Sequence, residues 1–498
     1  MIKNKDALFQ LLGKDNLLDD PPSLQAFARD ESFVHPLKPW FIARPQNVSQ
    51  IQSLIDWANR SRTPLVPVSS GPPHFRGDTV PAVPGAVMVD LSGMTRVIHV
   101  DTRNRMVIVE PGITYARLQP ELAKFGLKLS SPLAPRANKS VIASLLEREP
   151  ITIPRYQWNM LDPLRCLEVV WGDGQKMTTG EAGGGGTLEE EWARNYAQVT
   201  PSGPAQLDFY RLTSAAQGSM GIVSWASLKC EILPRIHNLF LITSSKLEAL
   251  LEATYAILRI RFGDELLILN NTLLASLLER EPASIQALAS QLPGWSLLVG
   301  IAGRDRLPEE RVAYQEKDLS ELAQRYGLEL LPAVPGANGT EVLKIILNSS
   351  SDPYWKTAFR GSCQEIFFLN TLDHAPDFIQ TMYSAAQVFG YPTQDIGVYI
   401  QPVHQGASCH IEFDLPFNRA SPRELERMQQ VYTRASEELF KRGAYYSRPY
   451  GLWASLAFNR DAQTTAALKK IKGIFDPNNI LNPGKIWTEE EETLGNQD

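Results

Sequence analysis

The sequence has few cysteines, no long apolar run and no excess of basic charge, and each absence excludes a class of protein. The four cysteines form no C-x-x-C pair, which argues against a disulfide framework, a zinc knuckle or an iron–sulfur cluster. We expect buried structural thiols at Cys166, Cys230, Cys363 and Cys409. No apolar run approaches about 18 residues, so no membrane-spanning helix is predicted.

The formal net charge of −6 gives no support for nucleic-acid binding, which needs a basic face. The segment Met1–Asp6 lacks the apolar core of a signal peptide, so we expect a cytoplasmic protein. A chain of 498 residues with 43% hydrophobic and 21% charged residues is globular and too long for one ordinary core. At least two domains and room for a large cofactor are therefore predicted.

The most informative stretch is a turn-rich loop between an apolar run ending at Val68 and a strand predicted over 86–91. A loop of Ser and Gly that closes a β unit can direct several backbone N–H groups into one concavity, which suits a pyrophosphate. A plain surface turn is the alternative, because the same residues are common in turns. The loop contains Ser69, Ser70, Gly71, Pro72, Pro73, His74, Phe75, Arg76, Gly77 and Asp78.

A second glycine-bearing turn, with Gly218 and Gly221, leads directly into the β-branched residues Ile222 and Val223. Because glycine has no Cβ, such a turn lets the backbone approach a ligand closely. Upstream, Gly172-Asp173-Gly174 predicts a hairpin turn. From about residue 236, long amphipathic helices alternate with strands, which indicates a separate α+β domain.

In order and spacing, several segments resemble one family, the flavin oxidoreductases of the vanillyl-alcohol oxidase and p-cresol methylhydroxylase (PCMH) type. The segments are 44–48, 67–78, 107–112, 167–180, 218–223 and 475–485. The resemblance implies an α+β protein: a two-part PCMH-type FAD-binding domain and an α+β cap domain of antiparallel sheet with flanking helices. It places the first part of the FAD-binding domain at 1–235, the cap at 236–442, and a segment that returns to the FAD-binding domain at 443–498.

The resemblance also implies which residues bind FAD. The backbone of Ser69 to Asp78 would hold the pyrophosphate, and Asn482 and Lys485 would close over the flavin. His74 is the candidate for a covalent tether, since relatives often attach FAD through a His in this loop. The adenosine and ribityl parts would be lined by Pro132, Ser140, Val141, Gly218, Gly221, Ile222 and Val223.

For the substrate, the resemblance gives two conflicting indications. In the vanillyl-alcohol oxidase branch a Tyr and an Arg hold a phenolate, which corresponds to Tyr446 and Arg448, with Tyr450 shaping the pocket. However, Arg76 stands where that branch has another Tyr, and 133–139 contains no acid where the branch has its catalytic Asp. A planar guanidinium matches a carboxylate, so Arg76 and Arg448 suggest an acidic substrate. A role as salt-bridged scaffold is the alternative for both.

An acidic substrate is also typical of the D-2-hydroxy-acid dehydrogenases of the same superfamily, which need a base near the α-carbon. In a strand His410 and Glu412 face the same way, so they can form a His–carboxylate pair that accepts a proton. A metal site completed by His404 is the alternative. Those relatives usually show Glu-His-Gly where this chain has Ser447-Arg448-Pro449, so no metal is predicted.

We therefore predict an FAD-dependent dehydrogenase that takes hydride from the C–H of a carboxylate-bearing alcohol, in particular a D-2-hydroxy acid, onto flavin N5. Oxidation of a para-substituted phenol or 4-hydroxybenzylic alcohol is one alternative, and a flavin subunit of an electron-transfer complex is another. Without a cluster motif, electrons must pass to oxygen, a quinone or an acceptor such as an iron–sulfur protein. Assembly into a homo-oligomer stays open.

Overall fold

The computed structural model describes residues 5–154, 163–184, 186–204 and 208–486. The first sheet has four strands, and two of its three strand pairs are parallel; the helix Val48–Ser61 makes the crossover between two of the parallel strands. Buried Ile51, Leu54 and Ile55 of that helix pack against this sheet. The strands in spatial order are Leu17–Leu18, Phe41–Ala43, Val87–Asp90 and Leu65–Val68.

A second sheet of five antiparallel strands lies beside the first. The predicted hairpin at 172–174 connects two of its strands, and the turn Gly218–Gly221 leads into a third. The helices Tyr115–Ala123 and Val141–Leu146 contribute Leu118, Leu122 and Ile142 to the core on this sheet. The strands in spatial order are Val97–Asp101, Met106–Val109, Gly221–Lys229, Leu164–Trp171 and Lys176–Thr178.

The third sheet has seven strands, all antiparallel. Alternate side chains of each strand point to opposite faces, so two separate cores form. Their spatial order is Leu330–Leu331, Ile236–Ser244, Trp295–Gly303, Leu266–Asn270, Gly397–Val403, Ser408–Phe417 and Ser362–Asn370. One face packs against the helices Glu248–Arg259, Pro308–Arg325, Ala375–Val388 and Pro422–Lys441. The other packs against Asn271–Leu278, Pro282–Gln291 and Gly339–Leu347. The predicted antiparallel sheet with flanking helices is confirmed.

The C-terminal segment contains the helices Leu452–Phe458 and Ala462–Phe475 and then runs beside the first sheet. Leu65 N–H donates to Ile480 O at 2.7 Å, and Asn482 N–H donates to Leu65 O at 2.8 Å. Shorter helices are Lys5–Leu12, Pro21–Ala28, Leu188–Ala193 and Tyr210–Thr213. Two short strand pairs join Leu127–Lys128 to Glu231–Ile232 and Ala333–Val334 to Ala337–Asn338.

All four cysteines are buried and carry free thiols, which confirms the sequence prediction. Among the described residues, no helix combines the length and the apolar character needed to cross a membrane.

Candidate active site

A cavity lies between the loops of the two smaller sheets and one end of the seven-stranded sheet. The loop after Leu65–Val68 supplies Ser69, Ser70, His74, Phe75, Arg76 and Asp78. The other loops supply Pro132, Gly218, Gly221, Ile222 and Val223. The seven-stranded sheet supplies Glu365, Tyr399 and Glu412. Most residues predicted to bind a cofactor therefore meet residues predicted to act on a substrate.

The walls of this cavity suit a dinucleotide such as FAD. The backbone N–H groups of Ser69 and Ser70 donate to no other residue that the structure describes, so they are available to an anionic group. His74 Nε2 is buried there without a hydrogen-bond partner in the described chain. Gly218 has φ +68°, and a Cβ on it would lie 2.4 Å from Pro67 Cγ, so only glycine lets these two loops meet.

Asn482 and Lys485 do not line the cavity but hold its loops from behind. Asn482 Nδ2 donates to Asp78 O at 2.9 Å and Gln217 O at 2.6 Å, so one side chain joins two loops. Lys485 Nζ donates to Gly77 O at 2.7 Å. That Asn482 and Lys485 close directly over the flavin stays a prediction; both side chains donate to backbone carbonyls of the loops and lie outside the cavity wall.

The remaining predicted cofactor residues that lie outside the cavity wall also support the loops. Ser140 caps the helix Val141–Leu146: its Oγ accepts from Ala143 N–H at 3.0 Å, and its backbone N–H donates to Ser70 Oγ at 3.1 Å. Val141 N–H donates to Ile113 O at 2.9 Å. Gly71, Pro72, Pro73 and Gly77 form the outer turn of the loop; Gly71 N–H donates to Asn138 O at 2.9 Å and Gly77 N–H to Asp30 Oδ2 at 2.6 Å.

Strand periodicity places a polar row on the cavity end of the seven-stranded sheet. Glu365 is paired with Asp414, and Glu412 lies between Phe367 and Tyr399 on the neighbouring strands. Residues two apart share a face, so these side chains point the same way while Ile366, Phe413 and their neighbours fill the core opposite. The sheet thereby delivers several carboxylates to one end of the cavity.

Lys356 lies among these carboxylates. Its Nζ donates to Glu365 Oε1 at 2.6 Å, to Asp414 Oδ1 at 3.1 Å and to Glu412 Oε1. Burial alone would raise the pKa of Glu412, but Lys356 and His410 hold it well below its usual range. Burial and the neighbouring Glu412 and Glu365 instead raise the pKa of Asp414 well above its usual range, despite Lys356. Lys356 and His410 therefore favour the ionised form of Glu412, whereas burial and the neighbouring glutamates oppose ionisation of Asp414.

Arg76 has a fully engaged guanidinium. Its Nη1 lies 2.9 Å from Glu147 Oε2 and 3.2 Å from Glu149 Oε1, and its Nη2 lies 3.2 Å from Glu365 Oε2. Lys139 Nζ adds a contact of 2.6 Å to Glu147. Arg76 thus connects the cofactor-side loops to the seven-stranded sheet, as expected of a salt-bridged scaffold.

Arg448 differs from Arg76 in its hydrogen-bond partners. Its side chain is buried, and neither Nη1 nor Nη2 has a hydrogen-bond partner in the described part of the chain. The guanidinium carbon lies 3.7 Å from the centroid of the Phe367 ring, which supports it from one side. Burial, and then the nearby Arg76, lower the pKa of Arg448 from its usual value. A buried guanidinium without a partner is costly unless a ligand supplies an acceptor.

The predicted His–carboxylate pair is present, but His404 is not part of it. His410 Nε2 lies 3.0 Å from Glu412 Oε2, and burial lowers the pKa of His410. His404 and Gln405 have φ of 53° and 56°, so the chain turns there before it enters the strand and carries His404 away from the cavity wall. Within the described ranges, only Glu365, Glu412 and Asp414 form a group of three candidate metal ligands within 4.8 Å of one another.

Of the two predicted tyrosines, only Tyr450 lines the cavity. Tyr446 lies in the core: its hydroxyl donates to Ser436 O at 2.8 Å, and its ring stacks on Trp453 with centroids 4.9 Å apart. The predicted contact of Tyr446 with substrate therefore differs from its geometry, since the hydroxyl is occupied by a backbone carbonyl.

Comparison with known proteins identifies the cofactor. Residues 39–180 match the family described as "FAD binding domain", and residues 454–486 match "FAD linked oxidases, C-terminal domain". The chain is an FAD-linked oxidoreductase. The two matches lie on the first part and the returning segment of the predicted FAD-binding domain, so the prediction of FAD is confirmed.

Relatives of this oxidoreductase come from both predicted substrate groups. It is 22% identical to a D-2-hydroxyglutarate dehydrogenase of Stutzerimonas stutzeri, over 97% of this chain and 98% of that protein. It is 26% identical to the 4-cresol dehydrogenase [hydroxylating] flavoprotein subunit of Pseudomonas putida, over 35% of this chain and 33% of that protein. Its fold matches the crystal structure of p-cresol methylhydroxylase with substrate bound, with a TM-score of 0.80. The two chains are 19% identical, and the match covers 97% of this chain and 96% of the other. The predicted resemblance is confirmed.

Several residues in or next to the oxidoreductase's cavity were absent from the sequence prediction. Glu365 and Asp414 carried a signal, because a charged residue between apolar strand residues points away from the core. Lys356 follows a Trp in a short turn, and nothing in the sequence around it indicated a place in the cavity. The residues missed are Lys139, Glu147, Glu149, Tyr354, Lys356, Glu365, Tyr399 and Asp414.

Proposed function

We propose that this FAD-linked oxidoreductase oxidises a carboxylate-bearing alcohol of the D-2-hydroxy-acid class. Arg448 binds the substrate carboxylate, and Glu412 accepts the proton of the hydroxyl group. Bound FAD supplies the acceptor for the hydride that leaves the carbinol carbon. The residues that hold FAD are those of the loops at 69–78, 132–141 and 218–223, fixed from behind by Asn482 and Lys485.

The observation that carries the proposal is the unpaired guanidinium of Arg448. A carboxylate offers two oxygens that match the two Nη donors, so one substrate group satisfies both. Arg76 is unsuited to this role, because three glutamates already occupy its donors. Arg448 and Glu412 both line the cavity, so a 2-hydroxy acid bound to the first presents its hydroxyl group within the same chamber as the second.

Glu412 is placed to accept the proton because it lines the cavity and is held on two sides. Lys356 binds one carboxylate oxygen and His410 lies 3.0 Å from the other. His410 lies behind Glu412 rather than in the cavity wall, so it orients the carboxylate instead of meeting the substrate. Similarity to a D-2-hydroxyglutarate dehydrogenase over nearly the whole chain adds support for this substrate class.

The experiment is an anaerobic titration of the FAD-loaded protein, followed by flavin absorbance. We expect D-2-hydroxy acids to bleach the flavin, and we expect the L-enantiomers and the corresponding esters to fail. The esters are matched controls, because they keep the alcohol but remove the charge that Arg448 binds. Bleaching by 4-hydroxybenzylic alcohols with indifference to every hydroxy acid would refute the proposal in favour of phenol oxidation.

The electrons leave the flavin for an acceptor outside this chain. We propose a redox protein, such as a cytochrome or an iron–sulfur protein, with quinone and oxygen as alternatives. Support comes from the relative that is itself called a flavoprotein subunit. Rapid reoxidation of the reduced protein by oxygen alone would contradict dependence on a partner.

A further inference from the structure

Three carboxylates at the cavity end of the seven-stranded sheet converge on one point. We call Glu365, Glu412 and Asp414 the carboxylate triad; one oxygen of each lies within 4.8 Å of the others. Three oxygens at that spacing are an arrangement that a divalent cation can bridge. The triad comes from two adjacent strands, so the sheet itself fixes its spacing.

An ammonium group already occupies the centre of the triad. Lys356 Nζ contacts all three carboxylates, at 2.6 Å for Glu365 and 3.1 Å for Asp414, and its side chain is 7% exposed. An ammonium carries three N–H donors, one for each carboxylate. Its donors are therefore fully used within the triad.

The backbone places Lys356 independently of the triad. It lies in the short 3₁₀ turn Trp355–Thr357, and Trp355 is 1% exposed. Trp355 Nε1 donates to Ala134 O at 3.1 Å, and its backbone N–H donates to Ser350 Oγ at 3.2 Å. The turn is thus anchored to the cofactor-side loop at Ala134, and Lys356 reaches the strands from there.

We propose that Lys356 is the resident cation of the active site: a positioning residue that holds the Glu412 carboxylate toward the cavity and takes the place of a divalent metal ion in the carboxylate triad. The role of Glu412 as proton acceptor rests on the function proposed above, whereas the occupation of the triad by Lys356 does not. A fixed ammonium has an advantage over a bound metal here, because it orients the carboxylate without needing an entry path or metal supply.

The first test is independent of any substrate. The FAD-loaded Lys356→Ala variant leaves three carboxylates around an empty position, and we expect it to bind one Mn²⁺ per chain about 10- to 100-fold more tightly than the wild type. The probe is Mn²⁺ alone, followed by the loss of its free electron paramagnetic resonance signal. Exposed Lys317 is the matched control, and Lys317→Ala should behave as the wild type.

A second variant locates the bound ion and covers the case of a folding defect. Glu365→Gln in the Lys356→Ala background should abolish the gain in Mn²⁺ affinity, while Lys356→Arg keeps a cation in place and should show no gain. Unchanged Mn²⁺ affinity in a folded Lys356→Ala protein overturns the proposal. So does a gain that survives Glu365→Gln, because the ion would then lie elsewhere.

The positioning role has its own readout. We expect Lys356→Ala to lower the rate of flavin reduction by substrate about 10- to 100-fold, and we expect methylamine in the buffer to restore part of it by filling the vacated space. A merely structural lysine would not respond to a small amine, so absence of rescue contradicts the positioning role. If no hydroxy acid reduces the wild-type flavin, the proposed function is refuted. The Mn²⁺ titration still tests whether Lys356 takes the place of a metal ion in the carboxylate triad.

Discussion

Replacing Arg448 by methionine should leave stability nearly unchanged, whereas replacing Arg76 by methionine should lower it. Both guanidinium groups lie in one cavity, but Arg76 contacts three glutamates and Arg448 contacts none of the described acceptors. Methionine keeps much of the length of each side chain and removes the charge. The pair of variants therefore distinguishes an arginine that stabilises the fold from one that binds a ligand.

The magnitudes follow from the contacts. Arg448→Met relieves about 1–3 kcal/mol of penalty for an unsatisfied buried group. It also removes the contact with Phe367, which is worth about 0.5–2 kcal/mol. The two nearly cancel, so the free energy of unfolding of the apoprotein should change by about 1 kcal/mol or less. Arg76→Met removes the cation that Glu147, Glu149 and Glu365 share and should destabilise the fold by about 3–5 kcal/mol.

The effect of Arg448→Met on the reaction should be large. Two hydrogen bonds from a charged donor contribute about 1.5–3 kcal/mol each. Losing both lowers kcat/KM for a hydroxy acid by roughly 10²- to 10⁴-fold. Urea denaturation of the apoproteins measures the stabilities, and anaerobic stopped-flow reduction of the flavin measures the reaction. An uncharged ester should stay unreactive with both proteins, because it has no charge for Arg448 to pair.

Two results would refute this reasoning. If Arg448→Met destabilised the apoprotein as much as Arg76→Met, Arg448 would be part of the scaffold. If Arg448→Met reduced its flavin with hydroxy acids at the wild-type rate, the substrate carboxylate would bind elsewhere.

Three further predictions concern single positions. Burial, with Arg136 and Lys139 nearby, lowers the pKa of His74 to about 3; the unfolded chain then binds the extra proton at mildly acid pH. Stability should therefore fall as pH drops below about 6.5, by up to about 1.4 kcal/mol per pH unit from this group, and urea denaturation of His74→Asn should lack that component. Gly218→Ala should strain the positive φ and clash with Pro67, so FAD affinity measured by fluorescence should fall. Tyr446→Phe should lower stability by about 0.5–1.5 kcal/mol through its lost hydrogen bond but leave flavin reduction unchanged; a reduction defect would restore its role in binding substrate.

Local patterns predicted the parts of the fold that local geometry controls. The Gly172–Gly174 turn and the glycines before Ile222 determine a hairpin and a strand entry whatever the rest of the chain does. The two-residue spacing of His410 and Glu412 likewise predicted that they share a face, and their side chains lie 3.0 Å apart. His404 was grouped with them because it is near in sequence. The positive φ values at 404 and 405 turn the chain between them, and a lone sequence does not reveal such a turn.

Local sequence patterns could not predict which charged residues pair with one another in the cavity. Lys356 reaches Glu412 across 56 residues of sequence, and its position depends on the hydrogen bond from Trp355 to the loop at Ala134. Nothing in the spacing of these residues signals the contact, since it arises only when the sheet and the cofactor-side loops come together. The carboxylates were predictable as a face of the sheet, whereas the cation that they share was not.

The same limit explains why the two arginines looked equivalent in the sequence and differ in the structure. Arg76 meets its glutamates at separations of 71 and 289 residues, so its partners depend on the complete tertiary fold. A carboxylate that enters the cavity would have to displace a glutamate to bind Arg76, and that exchange gains little because one ion pair replaces another. At Arg448 the same carboxylate displaces no protein acceptor and satisfies two buried donors at once. The difference in partners, and not the residue type, therefore supports the proposal that Arg448 recognises an acidic substrate.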